Sequence, residues 1–297
     1  MTQALVHATI VAGYGRECLA RLEHGELLRC QVRGRQLQPV CGDRVQLARS
    51  SADQGVIEAV APRTNEFSRA VHYRRKVVAA NFDQALILVA CEPSFSDELI
   101  CRMLVATEQA NLSALIVLNK IDLVELRERA RSVLAPFLGL GYPLVEISGK
   151  LDVAPLRALL NGKRTLLTGQ SGMGKSTLVN ALIPDADVRI REISAFLDAG
   201  KQTTTGSHLY AIDPTTEIID SPGLSEFGLA GMDYLNISAG FREFSAYRGQ
   251  CRFQNCRHVS EPGCAVQAAA VSGAVHPRRL ALYQRIVLAE AEGGQHR

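Results

Sequence analysis

Residues 169–176 read Gly169-Gln170-Ser171-Gly172-Met173-Gly174-Lys175-Ser176. The octet follows an apolar run at 165–168 and precedes a stretch, 175–183, whose apolar residues recur at helical spacing. Strand, glycine-rich loop and helix in that order form the setting of a phosphate-binding loop. Its glycines let backbone N–H groups close on phosphate oxygens at a helix N-terminus. Lys175 then adds a positive charge for the β- and γ-phosphates, Ser176 offers a hydroxyl to Mg²⁺, and Thr177 completes the phosphate-contacting stretch. Working outward, strand-like runs near 85–90, 113–118, 143–147, 164–168, 208–212 and 216–220 alternate with helical stretches near 97–110, 123–138, 152–160 and 175–183. The alternation predicts a doubly wound α/β sheet.

Asn119-Lys120-Ile121-Asp122 follows the strand at 113–118. A carboxylate at Asp122 accepts two hydrogen bonds from the ring N–H and exocyclic amine of guanine, donors that adenine lacks there, and so disfavours an ATPase or kinase. Taken alone, Asp122 also suits a helix N-cap. Ser148-Gly149-Lys150 ends the strand at 143–147 and fits the S-A-K loop that supports the base, with Gly149 in place of the usual Ala. Asp220-Ser221-Pro222-Gly223 fits the D-x-x-G turn, in which Asp220 reaches Mg²⁺ through water and the Gly223 N–H meets the γ-phosphate. Thr203, Thr204 and Thr205 lie on a segment without regular pattern, and Thr204 is preferred among them as a magnesium ligand beside Ser176. An ordinary GTPase runs from the phosphate loop to the base loops, whereas here the base loops come first. The domain therefore reads as circularly permuted, which is tolerated because domain termini lie close together at the surface. As a result the γ-phosphate sensor at Asp220 and Gly223 runs directly into the C-terminal segment, giving nucleotide state a path to it.

The rest of the 297 residues frame this domain. Apolar residues make up 47% and charged residues 21%, which excludes a disordered or collagen-like chain. No run approaches the ~18 apolar residues of a membrane helix, and the N-terminus lacks a signal-peptide pattern, so the expected location is cytoplasmic. Short alternating runs at 5–11, 17–22, 27–32, 44–48 and 55–60 predict a small closed β-barrel, OB-type before SH3-like. Residues 62–81 lack periodicity and read as a linker. Cys18, Cys30, Cys41, Cys91 and Cys101 sit among apolar neighbours and read as small hydrophobes. Cys251, Cys256, His258 and Cys264 instead cluster as C-x4-C-x-H-x5-C, three thiolates and an imidazole suited to a closed structural Zn²⁺ site. An amphipathic helix follows near 277–291. The expected organisation is thus a barrel at 1–70, a permuted nucleotide domain at 71–230 and a helical zinc domain at 231–297. The net charge of +3 divides as +2, −2 and +3 over these segments, and all six lysines fall in the middle one, so every flanking cation is an arginine. Arginine's planar fork suits phosphate and stacks on bases.

The motif order, the preceding barrel, the cysteine–histidine knuckle, Pro39-Val40-Cys41-Gly42-Asp43-Arg44 and Ala80-Asn81-Phe82-Asp83-Gln84 together resemble the small ribosomal subunit biogenesis GTPase family, RsgA or YjeQ. The similarity spans nearly the whole chain. It implies a GTPase stimulated by the small (30S) ribosomal subunit late in assembly, touching rRNA through the barrel and zinc domain, and acting as a monomer. The family usually reads G-[KR]-H-T-T-T before the threonines, with the histidine proposed as catalytic, and this chain has Gln202 there. Glutamine orients a water but is no base near neutral pH, so slow intrinsic turnover is expected. The competing expectation is a nucleotide-gated RNA-binding module in which hydrolysis is incidental.

Overall fold

Five short runs of alternating burial form β1 Leu5–Tyr14, β2 Glu17–Leu22, β3 Leu27–Val32, β4 Arg44–Arg49 and β5 Gln54–Val60. In the computed structural model, which describes residues 5–14, 17–33, 37–71, 74–183, 206–221, 229 and 232–294, these strands close in the order β1-β2-β3-β5-β4 and back to β1. The β3–β5 pairing is parallel and the others are antiparallel. This is the OB-type barrel expected. Ile10, Leu28, Cys30, Leu47 and Ile57, each fully buried, fill its interior, as the two-residue side-chain period of a half-buried strand requires.

The segment 62–81 is not a linker. It folds as a hairpin, β6 Glu66–Val71 against β7 Arg74–Ala80, with a register shift between Phe67 and Ser68. The shift breaks the alternation that would have marked the strands in the sequence. Phe67, Ala79 and Ala80 are buried, with Phe67 edge-on to Phe82. The hairpin also joins the barrel to the nucleotide domain. Ala80 N–H donates to the Cys41 carbonyl at 2.9 Å. Gly42 sits at φ +90°, where a Cβ would lie 2.0 Å from the Ala80 carbonyl oxygen, so only glycine fits this approach.

Strands β8 Gln84–Ala90, β9 Ser113–Asn119, β10 Leu144–Glu146, β11 Arg164–Gly169, β12 His208–Ala211 and β13 Glu217–Asp220 build the second sheet. Their spatial order is β10-β9-β8-β11-β13-β12. The phosphate-loop strand β11 is parallel to both of its neighbours, β8 and β13. All seven residues of β8 are buried, which explains why it reads as an unbroken apolar run. Helices α1 Asp97–Gln109, α2 Val124–Leu138, α3 Ala154–Leu160 and α4 Lys175–Leu182 follow the strands as expected. The Ser96 hydroxyl caps α1 by accepting from Leu99 N–H, and Asp97 and Glu98 favour its first turn. One residue pair, Ala12 opposite His208, joins β1 to β12 and makes a single eleven-stranded sheet.

The C-terminal part comprises α5 Tyr234–Ala239, a 3-10 turn Arg242–Tyr247, α6 Ala265–Val271 and α7 Pro277–Gly294. Arg279 docks it. Its guanidinium is 1% exposed, donates to Glu243 at 2.7 Å, and lies over the Phe241 and Phe137 rings at 4.4 and 5.1 Å. It also donates to Cys101 Sγ at 3.0 Å, so this thiol of α1 packs as part of the interface. All five scattered cysteines are buried.

A second buried charge secures the barrel. Asp43 is fully buried and accepts from Arg63 Nε and Nη2, each at 2.8 Å, and from Val40 N–H at 2.8 Å. Arg63 also reaches Glu66 at 2.9 Å, so one side chain ties the barrel loop to the hairpin. Replacing Asp43 with Ala leaves the guanidinium without its principal anion, and the expected loss is about 3 kcal/mol, read as a lower urea midpoint. An unchanged midpoint would show that the pair adds no stability.

Candidate functional site

The carboxyl ends of β8, β9, β11 and β13 converge on a cavity of about 710 Å³. Its lining includes Asn119, Asp122, Ser148, Gly149, Gly174, Lys175, Ser176 and Asp220. Residues as far apart in sequence as Glu92 and Ser221 thus face one space, as expected for ligand sites at strand ends of an open α/β sheet.

The phosphate loop is shaped by backbone conformation. A Cβ on Gly174, at φ +93°, would lie 2.5 Å from Asn119 Nδ2, and one on Gly169 would lie 2.4 Å from the Leu88 carbonyl oxygen. Lys175 Nζ donates to the Gly169 and Gln170 carbonyls at 2.8 Å each. Burial lowers its pKa, and the nearby Asp220 acts in the opposite sense. Met173 is buried beneath the loop, while Ser171, Gly172, Ser176 and Thr177 face the cavity.

Asn119 knits the loops together. Its buried amide donates to the Met173 carbonyl at 2.9 Å, and its Oδ1 accepts from Lys120 N–H and Gly149 N–H at 2.8 Å each. A Cβ on Gly149 would stand 3.2 Å from that Oδ1, a tight contact, so glycine at this position eases the approach. Lys120 Nζ donates to the Glu92 and Gly172 carbonyls at 2.7 and 2.9 Å, bracing the phosphate loop from the far side. Ile121 packs against the core from the same loop. Ser148 Oγ donates to Asp122 Oδ1 at 2.7 Å, and that bond, with Lys150 and Lys120 nearby, holds the Asp122 pKa below the ordinary carboxylate value. Asp122 is therefore an ionised, oriented acceptor; it does not cap α2, whose N-cap Leu123 makes no side-chain capping bond.

Asp220 closes the opposite side. Burial raises its pKa to about 6 against the pull of Lys175, and its Oδ1 has no hydrogen-bond partner among the described residues. A buried, unsatisfied carboxylate oxygen aimed at a phosphate loop suits a cation or its water. Ser221 Oγ donates to the Leu167 carbonyl at 2.8 Å and fixes the end of β13 on β11. Gln202, Thr203, Thr204, Thr205 and Gly223 lie outside the described residues. The motif reading missed Glu92, Leu123, Gly206 and His208, which also line the cavity beside the expected Lys150; the position of Glu92 just after β8 was its only signal.

In the C-terminal part, the ligand-type atoms of Cys251, Cys256, His258 and Cys264 all lie within 4.8 Å of one another and could hold a metal ion. His258 Nδ1 is 3.6, 3.6 and 3.2 Å from the sulfurs of Cys251, Cys256 and Cys264. Phe244 and Tyr283 pack against the imidazole. Glu261 accepts from the N–H groups of Arg257, Val259 and Ser260 and so shapes the loop carrying His258.

The profile of the RsgA GTPase family matches residues 60–230, more than half of the chain. This chain belongs to the RsgA GTPase family. It is a GTP hydrolase. Relatives named small ribosomal subunit biogenesis GTPase RsgA include one from Nitrosomonas europaea, 45% identical over 94% of this chain and 90% of its own. Another, from Paraburkholderia phymatum, is 46% identical over 96% of this chain and 92% of its own. The crystal structure of YjeQ from Thermotoga maritima superposes with a TM-score of 0.73 at 29% identity, covering 97% of this chain and 99% of that one. YloQ, described as a circularly permuted GTPase, gives 0.70 at 22% identity over 97% and 96%, a likeness of fold.

The expectation that Asp122, which lines the cavity, selects the base is tested by substitution. Asp122→Asn is expected to weaken GDP binding by on the order of a hundredfold or more and to favour xanthosine diphosphate, whose C2 carbonyl accepts from an amide. Equal affinity for GDP in the variant and the parent would remove Asp122 from base recognition.

Proposed function

We propose that this GTPase acts in late maturation of the small ribosomal subunit, binding the subunit and its rRNA as a cytoplasmic monomer, with hydrolysis stimulated by the subunit. The observation that carries the reading is the convergence of phosphate loop, base loops and Asp220 on one cavity, in a chain about 45% identical to relatives named for that role. No described helix is long and apolar enough to cross a membrane.

In this reading residues 169–177 hold the phosphates, and Asn119, Lys120, Ile121, Asp122, Ser148 and Gly149 hold the base. Lys175 exchanges its two loop carbonyls for β- and γ-phosphate oxygens, which are stronger acceptors. Ser176 and Thr204 ligate magnesium, and Asp220 meets its water. The ion, when bound, neutralises charge that develops on the phosphates. Gly223 senses the γ-phosphate through its N–H, and Gln202 orients the attacking water without accepting its proton, so turnover without the subunit is slow. The division at 70/71 and 230/231 assigns these roles to the middle segment and RNA contact to the flanks.

The metal of the C-terminal part is zinc in this reading. A tetrahedral ion with sulfurs at about 2.3 Å and nitrogen at about 2.0–2.1 Å needs ligand atoms about 3.5–3.8 Å apart. His258 Nδ1 at 3.2 to 3.6 Å from the three sulfurs and Cys251 Sγ at 4.0 Å from Cys264 Sγ lie close to that spacing, and all four ligand atoms fall within 4.8 Å of one another. Three thiolates and an imidazole leave no open position, so the ion's role is structural.

Multiple-turnover GTP hydrolysis, measured with and without isolated small subunits, separates an enzyme of subunit maturation from a nucleotide-gated binding module. The expected result is stimulation by small subunits and none by large ones; no gain from either would favour the binding module. Metal analysis is expected to find one zinc per chain. Cys256→Ser is expected to lose it and to expose amides at 251–271 to exchange, with GDP affinity retained; full protection in a zinc-free variant would contradict the structural role.

A further inference from the structure

Among the described residues, Asp220 Oδ1 has no hydrogen-bond partner to fix it. Its position depends on β13, a strand of four residues, Glu217–Asp220, held between β11 and β12. The first residue of that strand is gripped from outside the nucleotide domain. Glu217 is 15% exposed, and its carboxylate takes Arg164 Nε of β11 at 2.7 Å on one oxygen and Arg21 Nη2 of barrel strand β2 on the other. Burial opposes the charge of Glu217, but the two guanidiniums outweigh it and hold its pKa below the ordinary value. Arg164 extends the grip, donating to the Gly42 and Asn81 carbonyls at 3.3 and 3.1 Å, where the barrel loop meets the hairpin exit. At the other end of β13, Asp220 stands opposite His208, and His208 stands opposite Ala12 of the barrel.

We infer that Glu217 is a positioning residue for GTP hydrolysis: held by Arg21 of the barrel, it sets the register of β13 and through it the reach of Asp220 into the phosphate site. The inference rests on the role given to Asp220 above and deepens it. The barrel, besides any ligand it binds, forms part of the scaffold of the γ-phosphate side of the site. A displacement of the barrel therefore pulls on Asp220 through one carboxylate at one end of the strand and one backbone pairing at the other. Small displacements suffice, because transition-state stabilisation here depends on positioning.

The test is GTP hydrolysis by the full-length chain, with kcat and KM resolved. Glu217→Gln keeps the shape and removes the charge; Arg21→Ala removes the barrel's half of the contact. Each is expected to lower kcat about tenfold with KM for GTP within about twofold. The double variant is expected to be no worse than either single one, because both act through one contact. Arg21→Lys is expected to restore most of the rate. Arg33→Ala, which breaks the exposed Arg33–Glu58 pair elsewhere on the barrel, is expected to behave as the parent. Parent-like kcat in Glu217→Gln and Arg21→Ala, beside a lost rate in Asp220→Asn, would overturn the inference and leave the Asp220 reading standing. A proportionate rise in KM, or additive losses in the double variant, would also overturn it by marking general loosening. Parent-like turnover in Asp220→Asn would instead overturn the reading beneath it.

Discussion

The joint between Ala12 and His208 constrains the whole molecule. One residue pair makes a five-stranded barrel and a six-stranded sheet continuous, so the barrel is hydrogen-bonded to the strands that hold the phosphate site. Side chains reinforce the joint. Val11, Leu19 and Cys41 of the barrel share a hydrophobic cluster with Leu86, Ile218 and Ile219 of the nucleotide domain, and Gly42 is packed too closely against Ala80 for any other residue to replace it. Interfaces between domains are commonly small and mobile; here the contact has the character of a core.

Within the nucleotide domain, a single amide plays the corresponding part. Asn119 touches the phosphate loop through Met173 and the base loop through Gly149, and its own loop through Lys120. Three loops that arrive from different strands are thus fixed relative to each other by one side chain. The C-terminal part is held on the outer side by Arg279 in its aromatic and carboxylate pocket, and by Arg278, which pairs with Asp97 at the start of α1. The nucleotide domain is thus gripped from both flanks.

Much of this was legible in the sequence because it is local. The phosphate loop, the base loops, Asp220 and the metal-type cluster are short motifs whose spacing reflects one turn or one strand end. The barrel and sheet strands showed themselves by alternation or by unbroken apolar runs. The hairpin at 66–80 was hidden because a register shift interrupts its alternation. The contact of Arg21 with Glu217 joins residues 196 apart, and that of Asp43 with Arg63 joins residues 20 apart through a loop. Neither leaves a periodic trace, since a charged residue on a strand reads as a solvated face whether or not a partner waits across the fold. Gly149 was visible as a departure from a motif, but the close approach of the Asn119 side chain to it appears only in three dimensions.

The central claim is that the nucleotide site and the barrel respond as one sheet. Amide hydrogen exchange of the full-length protein, compared between GDP and a non-hydrolysable GTP analogue, tests it directly. The account predicts that protection changes together in β13, in β12 and in the β1 residues beside Ala12, which pairs with cavity-lining His208. A change limited to the phosphate loop and α4, with β1 and β12 indifferent to the nucleotide, would contradict it.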